Sequence, residues 1–138
     1  MTRTTWLLLT VCLSTAVMAT AFEMNPVLPP ITDKTLVVWC HLDNLDQRGG
    51  SVLTLGKDDC FDGLVFGEVA PRTWMAGSDN LARTPHDQSA VPRESASGDA
   101  LLQMAAVYSG VTVALYRNGQ LLHQYAIEKP ATFTSGSQ

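Results

Sequence analysis

Two carboxylates in one strand-like run are the first residues that could carry out acid–base chemistry. Asp62 and Glu68 lie in residues 61–69, on the same face, because side chains alternate along a strand. They are six residues apart in the sequence, which corresponds to about 20 Å along a strand. Hydrolysis of a glycosidic bond needs two carboxyl groups within roughly 10 Å of each other. The two therefore cannot act as a pair.

Nucleophilic catalysis is not indicated either. Cys40 and His41 are neighbours, but adjacent residues of a strand point to opposite faces, so the thiol and the imidazole do not form a dyad. No serine lies in a Gly-x-Ser-x-Gly turn of the kind that exposes a nucleophile. We expect no catalytic residue in this chain.

Two acidic clusters could offer oxygen ligands to a calcium ion. The first consists of His41, Asp43 and Asp46, and the second of Asp58, Asp59 and Asp62. Neither has the spacing of an EF-hand loop, and acidic loops are commonly solvated turns. The histidines also lack the Cys/His spacing of a zinc site. The sequence predicts no cofactor, with calcium as the alternative.

Carbohydrate binding is the chemistry that the remaining residue types favour. Sugars stack their apolar ring faces on aromatic side chains, and they hydrogen-bond their hydroxyl groups to Asn, Asp, Gln, Arg and His. The candidate ligand-binding residues are Tyr116, His123 and Tyr125 in a predicted hairpin, and Arg83, His86, Asp87 and Gln88 in a long polar loop. The alternative is structural, since a strand tyrosine often packs against a neighbouring strand.

Residues 1–21 have the features of a secretory signal peptide. Arg3 gives a short positive region, residues 6–18 are mostly apolar, and Ala19-Thr20-Ala21 resembles a cleavage site. An uncleaved anchor is the alternative. The sequence thus predicts a secreted or periplasmic protein with no membrane contact after signal removal. The net charge of −4 argues against a nucleic-acid partner.

Cys40 and Cys60 remain after the predicted cleavage, and an oxidising compartment would allow them to pair. A disulfide between them would close a loop of about 20 residues and contribute roughly 3 kcal/mol. The alternative is that both are free thiols that pack as small apolar side chains.

The rest of the chain is predicted to be a leader followed by one β-domain. Three prolines make residues 22–33 an extended leader, and the domain occupies residues 34–138. Its strand-forming runs are 34–42, 51–55, 61–69, a short segment around Trp74, 101–108 and 111–127. Residues 78–99 form a long polar loop. The predicted fold class is all-β, an antiparallel β-sandwich.

Two of these runs carry further expectations. Residues 34–42 are apolar on both faces, which predicts a well-covered strand. Within 111–127, Asn118-Gly119 tolerates the positive φ angles of a two-residue type I′ hairpin turn. With that turn, Leu115 faces Leu122 across the hairpin, and His123 and Tyr125 share a face with Tyr116.

Four short segments carry a resemblance to a known family. They are QRGGSVLT (47–54), FDGLVFGE (61–68), WMAGS (74–78) and LYRNG (115–119). In this order they resemble the laminin-G-like (LamG), concanavalin A-like jelly roll of secreted bacterial proteins of the planctomycete type. That module is found attached to levanase-type glycosidases, and the resemblance covers residues 34–137.

The resemblance implies a secreted, non-catalytic recognition module that binds carbohydrate or an extracellular protein. The alternative is the N-terminal accessory part of a levanase-type glycoside hydrolase whose catalytic residues lie outside this chain. A full jelly roll of this family has further strands where this chain runs into its polar residues 133–138. The resemblance therefore also implies an incomplete domain, with a smaller, complete sandwich as the alternative.

Overall fold

The structure is a computed structural model that describes residues 29–96, 98–134 and 137. The predicted signal peptide and residues 22–28 of the predicted leader lie outside this part. The strands are β1 (Lys34–Cys40), β2 (Ser51–Lys57), β3 (Cys60–Phe66), β4 (Trp74–Ser78), β5 (Leu102–Ser109), β6 (Thr112–Arg117) and β7 (Gln120–Ala126). A short 3-10 helix occupies Asp79–Leu81. Among the described residues, no helix has the length and apolar character needed to cross a membrane.

The strands form two antiparallel sheets. The larger sheet has the strand order β1-β5-β6-β7, and the smaller has the order β2-β3-β4. Side chains from both sheets share one buried core, in which Phe66 and Trp74 of the smaller sheet accompany Met104, Val113 and Leu115 of the larger. Each such side chain contributes about 1.5–3 kcal/mol by leaving water. This architecture confirms the predicted all-β sandwich and is compatible with a jelly roll.

The predicted strand at residues 101–108 is confirmed as β5, which lies between β1 and β6. Its buried residues are Leu102, Met104, Ala106 and Tyr108, and they alternate with half-exposed ones. Leu, Gln, Met and Ala favour a helix when considered alone. Here the two neighbouring strands and the burial of one face outweigh that preference.

The predicted hairpin turn is also confirmed. Arg117 pairs with Gln120, so Asn118 and Gly119 are the two turn residues. Their φ angles of 49° and 77° are both positive, as a type I′ turn requires. The Asn118 side chain also accepts a hydrogen bond from the Gln103 backbone N–H at 2.9 Å, which anchors the turn to β5.

The predicted pairing within this hairpin is wrong beyond its first residues. Tyr116 pairs with Leu121 as expected, but Leu115 pairs with His123 because a β-bulge shifts the register between Leu115 and Tyr116. Leu122 is the extra residue. One extra residue moves every later side chain of β7 to the opposite face. His123 and Tyr125 therefore do not share a face with Tyr116.

The expectation that β1 is covered on both faces is wrong as well. β1 is an edge strand of the larger sheet, and its residues alternate between half-buried and exposed along its whole length. Val37 is 38% exposed and Trp39 is 60% exposed. Unlike β4, which is buried on both faces, β1 is covered on its core side alone, so its second apolar face lies in solvent.

A buried ion cluster joins the beginnings of β1 and β3. Asp62 is fully buried beside the core residue Leu64, two residues further along the strand. Its carboxylate lies 2.7 Å from the Lys34 ammonium and accepts a hydrogen bond from Arg83 Nε at 2.8 Å. Arg83 also donates to the Asp79 carboxylate. Two cations thus compensate a carboxylate that would be costly to bury alone.

The Glu94 carboxylate ties the long loop to both sheets. It accepts hydrogen bonds from Trp74 Nε1 of β4 at 3.0 Å and from two N–H groups of Arg117 of β6 at 2.8 Å. The backbone N–H groups of Ser95 and Ala96 complete the set. Burial by itself would raise the pKa of Glu94. The hydrogen bonds that its carboxylate accepts, the one from Arg117 most of all, outweigh burial and lower the pKa to about 2.

Of the two alternatives for Cys40 and Cys60, the structure has the second, since both are free thiols. Cys60 Sγ lies 3.8 Å from Arg83 Nη2, in the ion cluster where β1 begins. Cys40 is the last residue of β1, about 20 Å further along the strand. Burial, and after it the charge of Glu94, raises the pKa of the Cys40 thiol. The two thiols therefore lie at opposite ends of the sandwich, too far apart to pair.

Glu94 should make stability dependent on pH in the acid range. Because its pKa is about 2 in the folded protein, against the ordinary value of 4.5, its contribution is complete above pH 4.5. That contribution, about 3 kcal/mol, is lost progressively as the pH falls toward 2. Urea unfolding near pH 6 and near pH 3 measures it. Glu94→Gln should be less stable near pH 6 and should lose less on acidification.

The matched control for this change is Glu68→Gln, because Glu68 is exposed. This variant should unfold as the unmodified protein does at both pH values. An acid-dependent loss of stability that is the same in Glu94→Gln as in the unmodified protein would contradict the role assigned to Glu94.

Candidate functional site

The larger sheet packs one face on the core and presents the other to solvent, and we call the second the outer face. Paired residues on neighbouring strands share a face, so the register identifies its members. They are Thr35, Val37 and Trp39 of β1, Gln103, Ala105, Val107 and Ser109 of β5, Thr112, Ala114 and Tyr116 of β6, and Leu121, Gln124 and Ala126 of β7.

The outer face is largely apolar and uncharged. Its thirteen residues all lie in the described part of the chain, and none is acidic or basic, although the chain has 9 basic and 13 acidic residues. Trp39 and Leu121 are more than half exposed, and Val37 is exposed to a smaller extent. Scattered apolar residues are normal on a surface, but a contiguous exposed patch commonly marks a binding surface.

The side chains of the outer face form rows across the strands. One row consists of the successive cross-strand partners Val37, Ala105, Tyr116 and Leu121. Trp39 pairs with Gln103 in the next row. Neighbours within a row are about 5 Å apart and successive rows about 7 Å apart. The face thus presents two aromatic rings, Trp39 and Tyr116, among small and uncharged polar side chains.

Of the seven residues predicted to bind a ligand, Tyr116 alone lies on the outer face. The bulge turns His123 and Tyr125 toward the inward side of β7, where their ring centroids are 5.6 Å apart. The Tyr125 hydroxyl donates a hydrogen bond to the Arg83 carbonyl at 3.1 Å, and burial raises the pKa of this tyrosine. Tyr125 therefore holds the long loop against β7.

Arg83 is occupied by contacts within the protein. Its guanidinium donates to the carboxylates of Asp62 and Asp79 and to the Phe61 carbonyl. Burial lowers the pKa of Arg83, but the hydrogen bonds to the two carboxylates outweigh this and raise it further above its ordinary value. The side chain is a link between the loop and β3, with its donors directed inward.

The loop candidates line two open clefts that share His86. Arg83, His86 and Tyr125 line a cleft of ≈ 550 Å³, and His86, Asp87 and Gln88 line a second cleft of ≈ 480 Å³. His86 and Asp87 are exposed, whereas Gln88 is buried. The structure therefore groups these five predicted residues in clefts that meet the outer face at one of its corners, at Ala126.

The acidic clusters considered as calcium ligands do not come together. In residues 29–96, 98–134 and 137, no three His, Cys, Asp or Glu side chains are grouped so that they could hold a metal ion. Asp62, a member of one cluster, is directed away from solvent and is paired with Lys34 and Arg83.

Trp39 is the candidate that reasoning from the sequence missed. Its strand, KTLVVWC, is apolar at both odd and even positions, a pattern that predicts a strand covered on both sides. The sequence predicts a sandwich, but it does not show which strands are covered on the side away from the core. β4 is buried on both faces whereas β1 exposes one, and an exposed tryptophan on such a face indicates binding.

Together the fold and the surface define a two-sheet antiparallel sandwich with an uncharged aromatic face. No family model, no curated protein and no solved structure matches this chain. The resemblance of four segments to the LamG jelly roll therefore remains a prediction, and the sandwich architecture is the part of it that the structure supports.

The two described tryptophans should differ sharply in their contribution to stability. Trp74 is 1% exposed and bonded to Glu94, so Trp74→Ala should lower the free energy of unfolding by about 3–5 kcal/mol. Trp39 is 60% exposed, so Trp39→Ala should change it by no more than about 0.5 kcal/mol. Urea unfolding followed by circular dichroism measures both. A large loss in Trp39→Ala would mean that its side chain belongs to the core.

Proposed function

We propose that this protein is a non-catalytic recognition module that binds neutral carbohydrate on the outer face. The observation that carries the proposal is the composition of that face: the exposed ring of Trp39, the half-buried ring of Tyr116, apolar residues, amides and hydroxyls, with no charge among its residues in the described strands.

The chemistry of this face suits a neutral sugar. The rings of Trp39 and Tyr116 can stack on the apolar faces of sugar rings, as aromatic side chains with accessible faces do. The amides of Gln103 and Gln124 and the hydroxyl of Thr35 can exchange hydrogen bonds with sugar hydroxyl groups. Since the face has no charged group, binding removes no ion from water and avoids that cost.

The size of the outer face also favours a small ligand over a protein partner. Four strands spaced about 4.8 Å apart, each contributing about 20 Å of length, give a flat area of roughly 400 Å² in the plane of the sheet, and the projecting side chains make its accessible surface larger. A stable protein–protein interface buries about 800 Å² of accessible surface on each partner. A second copy of the chain or an extracellular protein would have to cover this entire face, whereas an oligosaccharide covers part of it.

The resemblance to the LamG jelly roll supports the same proposal, because it implies carbohydrate or protein recognition without catalysis. The second candidate in that family, the accessory part of a levanase-type glycoside hydrolase, would use the same face to hold a substrate for catalytic residues outside this chain. In both cases the present chain binds and does not cleave.

The test is binding of the full chain to insoluble polysaccharides. The unmodified protein should bind at least one neutral polymer among cellulose, mannan, xylan, chitin and levan. Trp39→Ala should weaken that binding by at least about tenfold, equivalent to ~1.4 kcal/mol. Depletion of the protein from solution, measured over a range of polymer amounts, gives both affinities.

The matched control is Val111→Ala, since Val111 is an exposed apolar residue in the β5–β6 turn and is not part of the outer face. This variant should bind like the unmodified protein. No binding to any neutral polymer, or binding that Trp39→Ala leaves intact, would refute the proposal. Concentration-dependent dimerisation abolished by Trp39→Ala would assign the face to a second copy instead.

A further inference from the structure

We propose that the outer face takes an unbranched neutral sugar chain that crosses β5 diagonally, with one sugar ring stacked on Trp39 and another on Tyr116. This inference rests on the proposed carbohydrate-binding function and adds to it a direction, a minimum length and a class of glycan.

The spacing of the two aromatic residues sets the length. Trp39 is on β1, Tyr116 is on β6, and β5 lies between them. Tyr116 lies in the same cross-strand row as Val37, and Val37 is two residues before Trp39 on β1. Two strand spacings across and two residues along place the two Cα atoms about 12 Å apart. A glycan must therefore extend over about 12 Å to stack on both rings at once, which requires more than one sugar unit.

Between the two rings, the outer face has one short side chain and one polar side chain. A sugar chain therefore has both room and hydrogen-bonding partners there. A line from Trp39 to Tyr116 crosses β5 between Gln103, the partner of Trp39, and Ala105, the partner of Tyr116. Ala105 has a short side chain that leaves room for a central sugar. Gln103 supplies an amide with donors and an acceptor for the hydroxyl groups of that sugar.

The residues on either side of this line favour the diagonal over other directions. Val37 and Leu121 lie at the two ends of the row that contains Tyr116, and neither offers a ring or a polar group. The opposite corner of the face, at Thr112 and Ala126, has no aromatic side chain. The diagonal is thus the path that contacts both rings and an amide.

The class of glycan follows from charge. No cation lies on the outer face as the described strands form it, so a uronic-acid or sulfated chain would lose hydration of its anions without an ionic partner. We therefore assign a neutral chain, and alginate or polygalacturonate should not compete with it.

The dependence of affinity on chain length tests the two-ring geometry. Calorimetric titration of the full chain with cello-, manno- and xylo-oligosaccharides, from the disaccharide to the hexasaccharide, should identify a series that binds. Its affinity should rise by at least about tenfold between the disaccharide and the tetrasaccharide, and then level off. In both Trp39→Ala and Tyr116→Ala, the tetrasaccharide should bind no better than the disaccharide.

A pair of bulky substitutions tests the path itself. Ala105→Phe fills the middle of the diagonal and should weaken tetrasaccharide binding by at least about tenfold. Val111→Phe, in the exposed β5–β6 turn outside the outer face, is the matched control and should leave the affinity unchanged. Unchanged circular dichroism and urea unfolding in both variants would exclude a general folding defect.

The outcomes separate this inference from the proposed function. If Trp39→Ala abolishes binding but affinity does not depend on chain length, or if Ala105→Phe binds normally, the two-ring path is wrong while the carbohydrate function stands. If no neutral oligosaccharide or polysaccharide binds, both are wrong.

Discussion

The core between the two sheets decides which strand faces are left for solvent, and much of this structure follows from it. Phe66, Trp74 and Leu115 fill the space between the sheets. Residues 62–66 of β3 and the whole of β4 are buried on both faces, whereas β1, at the edge of the larger sheet, is covered on its core side alone. Since β1 is apolar on both faces, its uncovered face brings Val37 and Trp39 to the surface. The proposed binding surface arises directly from this difference in burial.

The buried charged residues connect one structural element to another through ion pairs and hydrogen bonds. Asp62 joins Lys34 of β1 and Arg83 of the loop, while Glu94 joins Trp74 of β4 and Arg117 of β6. A buried carboxylate is tolerated because cations and N–H groups replace its lost hydration.

These ion pairs and hydrogen bonds explain how a long loop, whose described residues contain one short 3-10 helix and no disulfide, can be held in place. Asp62 anchors its first part through Arg83, and Glu94 anchors its last part. Both carboxylates are directed inward and contact the protein itself. The ion pairs therefore belong to the fold, whereas the solvent side of the larger sheet is left free of charge and available for a ligand.

The sequence predicts the structure correctly where a local rule decides it. Asn118-Gly119 determines its hairpin turn through positive φ angles, and the strand at β5 follows from its position between other strands. The bulge at Leu122 could not be foreseen, because an extra residue in a ladder depends on the register of both strands. The exposure of Trp39 and the pairing of Arg83 with Asp62 depend on which elements pack together. A local sequence pattern does not contain that information.

A nuclear magnetic resonance titration of the labelled full chain with a neutral oligosaccharide would test the central claim most directly. The two described tryptophans provide an internal comparison, since Trp39 is exposed and the Trp74 indole N–H is bonded to Glu94. We predict shifts of the Trp39 indole N–H and of the Gln103 and Ala105 amides, with the Trp74 indole N–H unmoved. Shifts confined to the residues around His86, or none at all, would contradict the account.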